Sequence, residues 1–143
     1  MTIYRLIFLF LITSIQTNAQ IAEVDSLSTV RNYLVEIRNT VNAKELRRHK
    51  LEKLGSLIKS AAMQKAIFNR NAVKITATLR EAEQLKSALN YILQSMILYR
   101  SDIKNNHESQ SEIVFLNKNI PVLIYKIDFY SKRAKIRLEE NTH

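Results

Sequence analysis

Cysteine is absent from the chain. No disulfide can form, no thiol can act as nucleophile or zinc ligand, and nothing can accept a lipoprotein acyl chain after an N-terminal apolar stretch. Stability must therefore come from packing. Glycine and proline occur once each, as Gly55 and Pro121. Sheets and loop-rich folds need these residues at their turns, so their scarcity argues for a few long helices with short connections. A single glycine also cannot build the close-approach loop that cradles a phosphate.

Long apolar runs are missing as well, apart from one near the start. Arg5 precedes Leu6-Ile7-Phe8-Leu9-Phe10-Leu11-Ile12, polarity returns at Thr13 and Ser14, and Thr17-Asn18-Ala19 ends on a small residue. The run is far shorter than the roughly 20 apolar residues that cross a bilayer as a helix. It is apolar on all sides, unlike the striped helix of a protein surface. A charged start, a short apolar stretch and a small-residue site make a secretory signal, with cleavage between Ala19 and Gln20. Thr17 is larger than the alanine favoured at that place, so the class of the segment is better defined than the bond. The expected organisation is a signal peptide at 1–19 and a single helical-bundle domain at 20–143. The product is expected to be exported, to the periplasm or beyond the cell.

Acidic residues are scarce over one long interval. The chain carries a formal net charge of +9; Arg5 is the only charge within 1–19, so the mature chain carries +8. No Asp or Glu lies between Glu52 and Glu81. Over and just before that interval fall Arg47, Arg48, Lys50, Lys53, Lys59, Lys65, Arg70, Lys74 and Arg80. This stretch is a candidate anion-binding surface for lipid head groups, polyanionic sugars or an acidic protein face. The plainer reading is a solvated helix surface that keeps the protein soluble.

What is abundant is helical periodicity. Leu27, Val30, Leu34, Ile37 and Val41 step by 3 and 4, a coiled-coil type of seam. The same phase then meets Lys44 and Arg48 before an apolar face returns at Leu51, Leu54, Ile58 and Ala61. Either one helix runs from Ala22 to Phe68 with a phase shift, or it breaks near residues 40–45, with Asn42 as cap and Glu45 at the reciprocal position. Without Gly or Pro to mark a turn, continuity is the expectation. "FNRNA", residues 68–72, reads as the next turn, since asparagine tolerates capping and left-handed conformations. Ile75, Leu79, Ala82, Leu85, Leu89, Leu93, Met96, Tyr99 and Ile103 then form the clearest helix, which fails at the polar residues 104–109. Ser109 and Glu112 offer a capping box for a last helix.

In that last segment "IPVLIYKIDFY" admits a β-hairpin with "IVFL", because Leu123, Tyr125, Ile127 and Phe129 alternate. A lone hairpin is marginal in water, and no third strand is evident. Ile120, Ile124, Ile127, Ser131, Ala134 and Leu138 support a helix instead, with Asp128 and Lys132 as an i,i+4 pair and a kink or break at Pro121. The fold expected is all-α: an elongated antiparallel bundle of three to four long helices with coiled-coil-like packing.

Chemistry is hard to assemble from these residues. His49, His107 and His143 have no partner at metal-ligand spacing, so neither a metal site nor a cofactor is expected. There is no G-x-S-x-G elbow, and Glu81 and Glu83 turn to different faces of a helix. The mature aromatics (Tyr33, Phe68, Tyr91, Tyr99, Phe115, Tyr125, Phe129 and Tyr130) read mostly as core. They do not interleave with the basic run as a base-stacking platform does, which disfavours nucleic acid. No small-molecule substrate is evident, and no enzyme activity is expected. What remains is a protein partner, or self-association, through surplus apolar helix faces. The layout of signal, cysteine-free chain and long helices resembles the periplasmic minor-pilin components of conjugative type IV secretion systems. That resemblance implies an adaptor or structural role in an envelope assembly. The alternative is a basic module that docks anionic envelope surfaces.

Overall fold

A computed structural model describes residues 27–107 and 109–143. The expected signal peptide, the Ala19–Gln20 bond and the start of the first helix at Ala22 lie outside the described residues. Those described form four helices and no strand: α1 over 27–42, α2 Arg47–Ile75, α3 Leu79–Lys104 and α4 Gln110–Glu140.

Every member of the first seam, Leu27, Val30, Leu34, Ile37 and Val41, is buried, and Tyr33 joins them. The continuous helix expected from Ala22 to Phe68 does not form. The chain turns at residues 43–46 without glycine, proline or a side-chain cap. Continuing in phase would carry Lys44 and Arg48 into the buried seam, at the desolvation cost of unpaired charges. Folding back instead buries Leu54 and Leu57 in the core that α1 shares. Asn42 does not cap α2; its amide donates back to the Arg38 carbonyl at 2.8 Å. Leu46 stands at the cap position, and no acidic residue occupies the first turn. Contacts from α2 hold the turn: Lys50 Nζ donates to the Val41 carbonyl at 3.3 Å, and Lys53 pairs with Glu45 at 2.6 Å.

Residues 68–72 are not a turn either. Phe68, Ala72 and Ile75 continue the buried stripe at i, i+4 and i+7, and packing overrides the local preference of asparagine. The turn comes at residues 76–78. There the Thr78 hydroxyl accepts the Glu81 amide at 3.2 Å, and Glu81 Oε2 accepts the Ala77 amide at 2.8 Å. This T-x-x-E signal was present in the sequence and is the start that the asparagines concealed.

α3 buries Ala82, Leu85, Leu89, Ile92, Leu93, Met96 and Tyr99. Of the two residues expected to lead its pattern, Ile75 ends α2 and Leu79 is exposed. α3 closes with Asn106 at φ 58°, the His107 amide on the Asp102 carbonyl and the Asn106 amide on the Ile103 carbonyl. That is a Schellman closure, with asparagine in the place usually held by glycine.

α4 begins after Ser109 as expected, although the Ser109 side chain makes no capping bond. The β-branched, aromatic segment is helical, and α4 passes through Pro121 without ending. Burial of Leu116, Ile120, Leu123 and Ile127 outweighs the hydrogen bond that Pro121 cannot give to Asn117. Asp128 does not pair with Lys132; it reaches Arg31 of α1 at 3.2 Å.

Cross-helix bonds set the topology. Arg31–Asp128 and the reciprocal Asn42–Asn117 amide pair run α1 antiparallel to α4. Tyr33 donates to the Leu57 carbonyl at 2.6 Å across α1 and α2. Lys65–Asn90 and Arg100 to the Leu51 carbonyl tie α2 to α3, and Glu81–Arg133 ties α3 to α4. Each helix thus runs against the next, in an up-down-up-down arrangement around one core.

Candidate interaction surface

The nine basic residues singled out in the sequence do not share one face. Arg47 caps the end of α3, donating to the Lys104 carbonyl at 2.8 Å and to Asn106 Oδ1, where its charge meets the negative end of the helix. Lys50 holds the α1–α2 turn and lies over the Tyr99 ring at 5.9 Å. Lys53 pairs with Glu45, Lys65 bonds Asn90 toward α3, and Arg48 meets Glu52 at 3.2 Å on the surface. Lys74 is exposed near the end of α2, with an interaction of its own. Lys59, Arg70 and Arg80 make no hydrogen bond or ion pair with other described residues. At about 100° per residue, Arg48, Lys59 and Arg70 recur every eleven residues along the outward side of α2. Arg80 belongs to α3. Four of the nine therefore serve the fold, and a thin ladder of charge is what faces solvent.

A groove of about 680 Å³ runs between α1 and α2. Its lining mixes polar residues with Tyr33, Ala43 and Leu57; Glu36, Asn39, Lys53 and Ser60 stand beside Gln64, whose Oε1 has no partner although the residue is buried. At its floor, burial pushes the Tyr33 phenol up to about 12, which keeps it protonated and donating to Leu57. Lys53 holds the Glu45 carboxyl below its ordinary value. Between α3 and α4, Arg133 and backbone amides hold Glu81 at about 2. These shifted carboxylates belong to separate ion pairs and converge on no common point. Among the described residues no group of three or more His, Cys, Asp or Glu could hold a metal ion, and no helix is long and apolar enough to cross a membrane.

Among the described residues, α4 carries a line of exposed apolar side chains. Val114, Val122, Tyr125, Phe129 and Ile136 are all exposed, Tyr125 by 69% and Phe129 by 49%. With Lys118 and Lys132 between them they occupy an arc of about 80° on the side of α4 opposite its buried face. The stripe runs about 33 Å from Val114 to Ile136 at ~1.5 Å per residue. Tyr125 and Phe129 stack with centroids 6.4 Å apart, and Phe129 meets Tyr130 edge-on at 5.5 Å. Arg133, bound to Glu81 at 2.6 and 3.1 Å, lies over the Tyr130 ring at 4.7 Å and fixes one margin of the stripe.

The expectation that the aromatics are mostly core holds for five of the eight. Tyr33, Phe68 and Tyr99 are buried and Phe115 and Tyr130 partly so, but Tyr91, Tyr125 and Phe129 face outward. The signal that could have separated them is the second 3,4 spacing in α4, from Lys118 through Val122, Tyr125, Phe129 and Lys132 to Ile136. It runs beside the spacing that is buried. No known protein family, curated protein or solved structure matches the chain.

Proposed function

We propose that this chain is an exported, non-enzymatic helical bundle that serves as a structural or adaptor component of a bacterial envelope assembly. Residues 1–19 are its cleaved signal, and its helices pack in a coiled-coil-like manner. The supporting observation is the outward face of α4, a stripe of exposed apolar and aromatic side chains punctuated by Lys118 and Lys132, on a helix whose opposite face already fills the core. Monomeric proteins rarely display apolar surface of this extent unless something docks on it. The layout shared with periplasmic components of conjugative type IV secretion systems fits the same role. A second reading, a basic module on anionic envelope surfaces, is supported by Lys59, Arg70 and Arg80, which have no ionic partner among the described residues.

One experiment separates the two. A photoreactive residue is placed at position 125 or 59, and the protein is recovered from intact cells with its N-terminus sequenced. The adaptor reading expects a chain that starts at Gln20 and a discrete protein adduct from position 125. Adducts from position 59 alone, to lipid or glycan, would favour the basic module. A retained Met1 would remove the export step from both.

A further inference from the structure

We infer that the outward face of α4 is a docking seam for an amphipathic helix of a partner protein, with acidic residues set against Lys118 and Lys132. The inference rests on the adaptor reading and adds the chemistry of the partner. Three observations carry it.

The first is width. The stripe is a single line of side chains at steps of 3 and 4, the narrow seam that a second helix fills by knobs-into-holes packing. α1 and α3 flank it through Arg31–Asp128 and Glu81–Arg133, so only the crest of α4 is presented. A lipid surface is better met by a broad apolar face that sinks several ångströms below the head groups.

The second is charge. Lys118 and Lys132 stand within the seam, and Lys126 and Lys135 lie on its two flanks. All four are exposed and have no ionic partner among the described residues. Between Glu112 and Glu139 the sequence has one acidic residue, Asp128, and it is engaged by Arg31. The docking surface is therefore apolar along its length and positive at two fixed points.

The third is self-exclusion. Pairing two copies antiparallel about Tyr125 sets Val114 against Ile136 and Lys118 against Lys132, twice over. Parallel pairing sets each lysine against itself. Like charges at seam positions disfavour both arrangements, as in natural coiled coils that select a different partner. An acidic helix relieves the same two positions. Because Lys118 and Lys132 are two heptads apart, the partner's acidic residues must also lie two heptads apart, whichever way it runs.

The test uses the full chain and three labelled synthetic peptides of four heptads with identical leucine and isoleucine seams. One carries two seam glutamates fourteen residues apart, one carries them seven apart, and one carries lysines fourteen apart. Fluorescence anisotropy is expected to show binding of the first peptide and markedly weaker binding of the other two. In a Lys118→Glu/Lys132→Glu variant, binding of the first peptide should fall by about tenfold or more, and the lysine peptide should now bind. Both sites are exposed, so circular dichroism should be unchanged; Tyr125→Asp gives an independent disruption of the seam. Binding of all three peptides alike, of none, or of the first peptide undiminished by the charge reversal would overturn the inference. So would binding to phosphatidylglycerol vesicles that Tyr125→Asp abolishes, or a salt-resistant dimer that it dissolves. An absent peptide response together with a persistent cellular adduct at position 125 would overturn the acidic-helix seam and leave the adaptor reading standing.

Discussion

The two long faces of α4 hold similar amounts of apolar side chain and have different surroundings. Leu116, Ile120, Leu123 and Ile127 pack into the core against the other helices, while Val114, Val122, Tyr125, Phe129 and Ile136 look outward. Periodicity alone does not choose between them, because each follows steps of 3 and 4. Lysine does. Placing Lys118 and Lys132 in the bundle interior would strand two charges without partners, so the lysine-bearing seam is held outside and the helix is fixed in rotation. Charged seam residues thus act first as a rotational register for folding. A second line of apolar and aromatic side chains left on the surface is the by-product.

Damage to the inward face should be the most costly change in α4. Leu123→Ala and Ile120→Ala each remove most of a fully buried side chain, and a loss of about 2–5 kcal/mol is expected for each, read by urea unfolding. A loss as small as that from an exposed residue would mean that the two faces are not distinguished in solution.

The next largest effect concerns the clamp at the margin between the faces. Arg133 and the amides of the α3 cap hold the Glu81 carboxyl at about 2, below its ordinary value of 4.5. A depressed carboxyl stabilises the fold above the pKa of the unfolded chain, and that contribution is lost as pH falls from about 4.5 toward 2. Glu81→Gln should therefore lower thermal stability at neutral pH and remove part of the acid-side decline seen in the wild type. Identical pH profiles for the two proteins would show that the clamp does not hold α4 against α3.

Much of this organisation was legible in the residues. The seam of α1, the stripe of α3 from Ala82 to Tyr99 and the helix start after Ser109 were all carried by spacing or by local signals. The two misplaced turns share one cause. At residues 43–46 no turn residue is present, and the break reflects what Lys44 and Arg48 would meet if the helix continued. At residues 68–72 the asparagines suggested a turn, but Phe68 and Ala72 had a core to enter. Both outcomes depend on contacts between distant segments, which local composition does not contain. The basic stretch was legible as charge. Its division into structural caps such as Arg47 and solvent-facing residues such as Lys59 was not, because it depends on where α3 ends.

The uncapped start of α2 offers a control on the other side of the molecule. Leu46 is 72% exposed at the cap position and leaves the first amides of α2 without a side-chain acceptor, beside Arg47 and Arg48 at the positive end of the helix. Leu46→Asp supplies an acceptor and a favourable charge, and a gain of about 1 kcal/mol is expected. Differential scanning calorimetry would register it as a rise in Tm. Docking of the acidic peptide on α4 should not change, since α2 is not part of that seam. A change in docking would mean that the seam responds to global stability and not to its own side chains.

The smallest expected effect on stability is the one that decides whether the outward face is free. Tyr125→Ala removes a ring that is 69% exposed and stacked only on Phe129. The loss of that contact, about 0.5 kcal/mol, is offset by the better helix propensity of alanine, which is of similar size. The net change in unfolding free energy should stay within about 0.5 kcal/mol. Peptide docking should nonetheless weaken, because the middle of the seam has been taken away. Should Tyr125→Ala instead destabilise the protein as much as Leu123→Ala, the outward face must already be covered in solution. The contrast between the two sides of α4 would then have to be abandoned.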